Sequence, residues 1–127
     1  MENVPLKGRK ILVVEDDFSS RLYLNTILEK SGATILNVTN GQEAYDMIMS
    51  NSEIQLVLMD IRLPVLDGYT CTKMLRKAGK KTIIIAQTAY GLTWDKERLL
   101  ASGFDDYLIK PISKSILIEK IKHFLSD

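Results

Sequence analysis

The chain has 127 residues, 46% of them apolar, enough to build one core without disulfides or metals. Seventeen basic residues against sixteen acidic ones leave a net charge of +1, which gives no global attraction to nucleic acid or to a membrane surface. A lone Cys71 excludes an internal disulfide, no apolar run approaches the ~18 residues of a membrane span, and residues 1–9 lack the apolar stretch of a signal peptide, so a reducing cytoplasm is the expected setting.

In chain order, residues 1–9 read as a loose lead-in and 10–127 as one domain. Short β-branched apolar runs occur at 11–14, 35–38, 54–59, 82–86 and 107–109. Helical spacing fills the intervals: Leu24, Ile27 and Leu28, then Ala44, Met47 and Ile48, and finally Leu117, Ile121, Phe124 and Leu125. Boundary signals agree with this reading. Asn40 to Glu43 resembles a capping box, Asp67-Gly68 reads as turn and helix-start chemistry, Ser113 caps the last helix, and Gly32, Gly79 and Gly103 end three others. Five strand and helix pairs, with strands apolar on both faces, predict a doubly wound parallel α/β sheet. In such a sheet chemistry gathers beyond the carboxyl ends of the strands. There stand Glu15, Asp16 and Asp17, then Asp60, then Gln87, Thr88 and Ala89, and last Lys110-Pro111.

Asp60 ends an apolar run just before Pro64 and Asp67-Gly68; from that stretch alone it reads more readily as a loop cap than as a functional group. Its companions favour function. Glu15, Asp16 and Asp60 brought together need a compensating cation, and oxygen-only ligands suit Mg²⁺. With Lys110 as a second cation and Thr88 as a hydroxyl donor, the set meets the needs of phosphoryl transfer, with Asp60 as nucleophile.

Five pieces in order, residues 11–17, 58–64, Asp67-Gly68, 87–90 and 106–111, resemble the receiver domain of two-component response regulators, in wording closest to receivers of hybrid histidine kinases. The resemblance implies a flavodoxin-like fold with strand order 2-1-3-4-5. It implies that Asp60 is the phosphoacceptor, that Glu15, Asp16, Asp60 and the backbone carbonyl of Arg62 form the Mg²⁺ site, that Lys110 pairs with the phosphoryl group through a cis Lys110–Pro111 turn, and that Thr88 and Tyr107 form a switch. The implied partner is a histidine kinase or histidine phosphotransfer domain, and the role is signalling phosphoacceptor rather than enzyme. The face of the fourth and fifth strands and helices is where a partner would read the state, and is a candidate homodimer surface.

Several residues are individual to this chain. Arg62 and Tyr90, two positions after Asp60 and Thr88, are large and are candidates for slowing water's attack on the phosphoryl group; a surface role is the alternative. Trp94 is a candidate partner contact, against packing on its own loop. Ile116 exceeds what the last helix needs for burial. The basic run from Lys73 to Lys81 reads as a solvated helix face and loop, Cys71 as a small core residue, and His123 as remote from the rim. Competing classes are a haloacid-dehalogenase-type phosphatase, which wants an aspartate where Arg62 stands; a flavin- or nucleotide-binding module, whose phosphate cradle Glu15 to Asp17 would repel; and a pseudo-receiver that binds without being phosphorylated.

Overall fold

A computed structural model describes residues 4–89 and 93–126, with the side chains of residues 93–95 outside the description. Five strands, β1 (Lys10–Val14), β2 (Thr34–Val38), β3 (Leu56–Asp60), β4 (Ile83–Thr88) and β5 (Asp106–Ile109), alternate with five helices. These are α1 (Phe18–Lys30), α2 (Gly41–Ser50), α3 (Gly68–Lys77), α4 (Thr93–Ala101) and α5 (Lys114–Leu125). The strands form one parallel sheet in the order β2-β1-β3-β4-β5, the expected flavodoxin-like arrangement.

Strand alternation divides the core into two layers. Leu12, Val14, Val57, Met59, Ile84 and Ala86 pack toward Ala44 and Ile48 of α2, Cys71 and Leu75 of α3 and Leu99 of α4. Ile11, Val13, Leu56, Leu58, Ile85 and Leu108 pack toward Leu24, Ile27 and Leu28 of α1 and Leu117, Ile121 and Leu125 of α5. Every residue of β3 is buried, so the central strand is braced from both sides. Each fully buried Leu or Ile contributes about 2 kcal/mol of apolar transfer free energy, which makes this double packing the main support of the sheet. Edge strand β2 departs from the expectation of two apolar faces: only Val38 is buried, because one side of the strand has no neighbour to bring a covering helix.

Helix boundaries follow the predicted chemistry. Asn40, Asp67 and Ser113 each accept a bond from a backbone N–H of the first turn, and so does Asp17, which the sequence marks only as an acid on the rim. Glu43 closes its box one residue early, accepting from the N–H and hydroxyl of Thr39 rather than from the N–H of Asn40. Gly32, Gly79 and Gly103 all have positive φ, as helix ends of this kind require.

Three segments differ from the sequence expectation. Ile54 lies before β3, where it is buried by packing, because pairing with β1 begins only at Leu56. At the other end β3 takes in Asp60 and β4 runs on through Gln87 and Thr88, since the ladder pairs Asp60 with Gln87 and Thr88 with Ile109 through backbone groups indifferent to side-chain polarity. The lead-in is not loose at Leu6: that side chain is buried in the α1/α5 layer and its N–H donates to the carbonyl of Ser31. Arg9, just before β1, donates from its guanidinium to the carbonyl of Leu125 at the end of α5.

Beyond Asp60 the chain makes a tight turn in which the N–H of Leu66 donates to the carbonyl of Pro64, with Val65 at φ 69° and its side chain exposed. A β-branched residue in this left-handed region is strained. The turn is held from behind by α2, whose first residue, Gly41, lies so close that a Cβ there would stand 1.8 Å from the carbonyl oxygen of Leu66.

Candidate functional site

Counting two residues onward from Val13, Leu58, Ile85 and Leu108, all in the α1/α5 layer, reaches Glu15, Asp60, Gln87 and Lys110. Alternation therefore aims these four toward one face at the carboxyl rim, in the strand order β1, β3, β4, β5. The Lys110 ammonium donates to Glu15 Oε1 and to Asp60 Oδ2, each at 3.0 Å. Arg62, on the loop after β3, donates its N–H to Asp60 Oδ1 at 2.9 Å. Asp17, before serving as cap of α1, donates its N–H to Glu15 Oε2 at 3.3 Å. The Lys110–Pro111 bond is cis, as the resemblance implied.

Glu15 is fully buried and Asp60 7% exposed, a setting that strengthens every charge interaction between them. Burial raises the Glu15 carboxyl above its ordinary value, Lys110 opposes that, and the neighbouring Asp60 carboxylate adds to it. For Lys110 burial acts downward, but the hydrogen bonds it donates to Asp60 and Glu15 outweigh it, so the ammonium is held more firmly than an ordinary lysine. One lysine thus offsets two carboxylates. Asp16, exposed at the rim, brings a third: carboxylate oxygens of Glu15, Asp16 and Asp60 all lie within 4.8 Å of one another. A hard divalent cation fits this donor set in chemistry and in spacing.

Thr88 and Tyr107 sit on the other face. Thr88 follows Ala86 by two residues and Ala86 is in register with Tyr107, so both belong to the α3/α4 layer, where Thr88 is buried and Tyr107 half-buried against the core. Arg62 has an exposed side chain on the rim loop. Tyr90 lies outside the described residues, as does the side chain of Trp94, which falls in the first turn of α4. Ile116 is exposed, and with Leu100 and Ile109 it leaves three apolar side chains on the α4, β5 and α5 side.

Two features escape sequence reading. Arg76, expected on a solvated face, turns inward and donates to the carbonyls of Gly103, Lys80 and Thr82 and to Asp105, fastening α3 to the segment between α4 and β5. Gln87 is fully buried and neither atom of its amide has a hydrogen-bond partner. It lines a cleft of about 610 Å³ together with Lys110, Pro111, Ile112 and the α1 residues Ser19, Ser20 and Tyr23. Only the strand parity, counted from Ile85, hints at this placement.

Comparison with known proteins agrees with this geometry. The family model described as response regulator receiver domain matches residues 11–122. A sensor histidine kinase from Pseudomonas protegens, GacS, is 35% identical over 125 residues, covering 94% of this chain and 14% of that protein. The receiver domain of sensor histidine kinase PA1611 from Pseudomonas aeruginosa, solved with magnesium coordinated in its active site cleft, is 34% identical with a TM-score of 0.86, covering 94% of this chain and 99% of that one. The receiver domain of Ssk1 from Saccharomyces cerevisiae, solved with the histidine phosphotransfer protein Ypd1, is 30% identical with a TM-score of 0.85, covering 94% and 90%. The curated relatives, transcriptional regulators and sensor kinases alike, are longer, and the chain spans half or less of their length. Among the described residues no helix is long and apolar enough to cross a membrane.

Proposed function

The chain belongs to the response regulator receiver domain family, and from that membership we propose that it takes a phosphoryl group from a partner's phosphohistidine onto Asp60. The observation that carries the reading is the Asp60 carboxylate, held at a strand tip between the Lys110 ammonium and the Arg62 N–H, with Glu15 and Asp16 beside it. In the transfer an Asp60 oxygen attacks phosphorus, the phosphorus–nitrogen bond to the donor imidazole breaks, and the imidazole takes up a proton. Lys110 neutralises charge on the phosphoryl oxygens.

Glu15, Asp16, Asp60 and the Arg62 carbonyl would hold Mg²⁺, which when bound offsets the charge of the carboxylates and of the incoming phosphoryl group. The switch follows from the buried Thr88: phosphoryl oxygens on Asp60 draw its hydroxyl toward the rim, and Tyr107, its neighbour on the same face, turns into the space released. The α4, β5 and α5 side then reports the state, and its exposed Leu100, Ile109 and Ile116 make it the surface for a second copy. The phosphodonor is a histidine kinase or histidine phosphotransfer domain. It docks on the rim side of α1, where Phe18, Leu22 and Tyr23 expose apolar surface beside the cleft at Lys110. The protein acts in the cytoplasm as a signalling phosphoacceptor rather than as an enzyme with an external substrate. Arg62 and Tyr90 restrict water's approach, so Arg62→Ala and Tyr90→Ala shorten the phosphate half-life; unchanged lifetimes would refute that part.

Acetyl phosphate with Mg²⁺, read by intact mass, tests the central claim. Wild type gains one phosphoryl group, Asp60→Asn gains none, and Asp16→Asn gains it only slowly. Equal labelling of wild type and Asp60→Asn overturns the assignment. A folded wild type that takes no phosphoryl from acetyl phosphate or from a phosphohistidine donor is a pseudo-receiver.

A further inference from the structure

Gln87 stands in the rim row between Asp60 and Lys110, and Lys110 must reach past it to meet Asp60 and Glu15. The other three members are bonded to one another, whereas the Gln87 amide is buried with its oxygen and nitrogen both unpaired. An apolar side chain of the same shape would suit the resting protein better, since a buried amide without partners forfeits its bonds to water and recovers nothing. Its strand is in register with Asp60 at the ~4.8 Å spacing of neighbouring strands, so the unmet donor and acceptor lie beside the group that changes.

The change itself supplies partners. Phosphorylation of one oxygen of Asp60 turns the carboxylate into an acyl phosphate, the charge that holds Lys110 there passes to the phosphoryl oxygens, and the ammonium redirects toward them. New acceptors now stand on the Asp60 side chain and one ammonium N–H leaves its resting contact. We infer that Gln87 is a positioning residue of the phosphoacceptor site: its Nε2 donates to the phosphoryl-bearing Asp60 side chain and its Oε1 accepts from Lys110, both only in the loaded state. Bonds made in one state alone shift the equilibrium toward that state, so Gln87 stabilises the phosphorylated form against the resting one. The inference rests on Asp60 being the phosphoacceptor.

The test is Gln87→Met, close in shape and without the amide, titrated with beryllofluoride and Mg²⁺ by calorimetry and unfolded in urea without them. Loss of one hydrogen bond to a charged group weakens beryllofluoride binding roughly tenfold, while the urea midpoint stays level or rises. Beryllofluoride affinity within twofold of wild type overturns the inference, and a lowered urea midpoint beside it marks Gln87 as structural only. Should Gln87→Met fail to fold, the wild-type Gln87 side-chain N–H₂ resonances decide: they shift on adding beryllofluoride, and unmoved resonances refute the role. A folded wild type that neither binds beryllofluoride nor takes phosphoryl from acetyl phosphate removes the phosphoacceptor reading, and this inference with it.

Discussion

Gly41→Ala is a substitution on which helix propensity and packing disagree in sign. Position 41 opens α2, where replacing Gly by Ala stabilises a helix by up to about 1 kcal/mol. A methyl there, however, would stand 1.8 Å from the Leu66 carbonyl oxygen and 2.6 Å from its carbon, both backbone atoms that cannot rotate aside. Reaching an ordinary contact means separating α2 from the loop after Asp60 by more than an ångström. That belongs at the upper end of overpacking costs, about 3 kcal/mol, and leaves a net loss of about 2 kcal/mol after propensity is credited. For a domain of this size the melting temperature falls by roughly 6–10 °C. Urea unfolding at fixed pH, with m unchanged, measures it. Gly79→Ala is the comparator: φ is +85° but nothing lies within 4 Å of the added methyl, so only the backbone penalty of about 1 kcal/mol applies. A Gly41→Ala protein as stable as wild type, or Gly79→Ala the more damaging of the two, would refute the reasoning.

Cys71 is buried, and desolvation together with the nearby Asp67 carboxylate pushes its thiol up to about 12, so iodoacetamide at pH 8 labels it only as fast as the protein unfolds; rapid labelling of the native state would contradict this. Val65→Asn places a residue tolerant of positive φ in the turn after Pro64 and raises stability by about 1 kcal/mol in urea, and a lower midpoint would count against the strain argument. Arg76→Leu strands the carbonyls of Gly103, Lys80 and Thr82 and costs about 2–3 kcal/mol, whereas Lys77→Leu one residue on, exposed, changes stability by less than about 0.5 kcal/mol; equal effects would disprove the inward clasp.

Local chemistry made much of the fold readable. Short apolar runs marked five strands, single polar residues marked helix starts, and Asp60 stood out as a charge ending an apolar run. Glu15, Asp16, Thr88 and Lys110 were legible because a parallel sheet sends every strand end to one rim. What stayed hidden depends on approach between distant segments. No pattern around Gly41 announces the Leu66 carbonyl, and Arg76 looks like any exposed cation until Gly103 and Thr82 come within its reach. Leu6 was read as lead-in because one apolar residue has no period to report. Gln87 was visible only as a polar neighbour of Thr88, since its significance lies in what it fails to bond.

The clasp between Arg9 and the carbonyl of Leu125 bears on how the domain can be handled. It brings the start of β1 next to the end of α5, at the amino edge of the sheet and opposite the rim that holds Asp60. A label carried at the start of β1 or at the end of α5 would therefore sit at the base and leave the crevice open to donors. The same proximity lets a short Gly/Ser linker join the two ends while the chain is reopened in an exposed stretch such as the turn at Gly79, a circular permutation that keeps every rim contact intact.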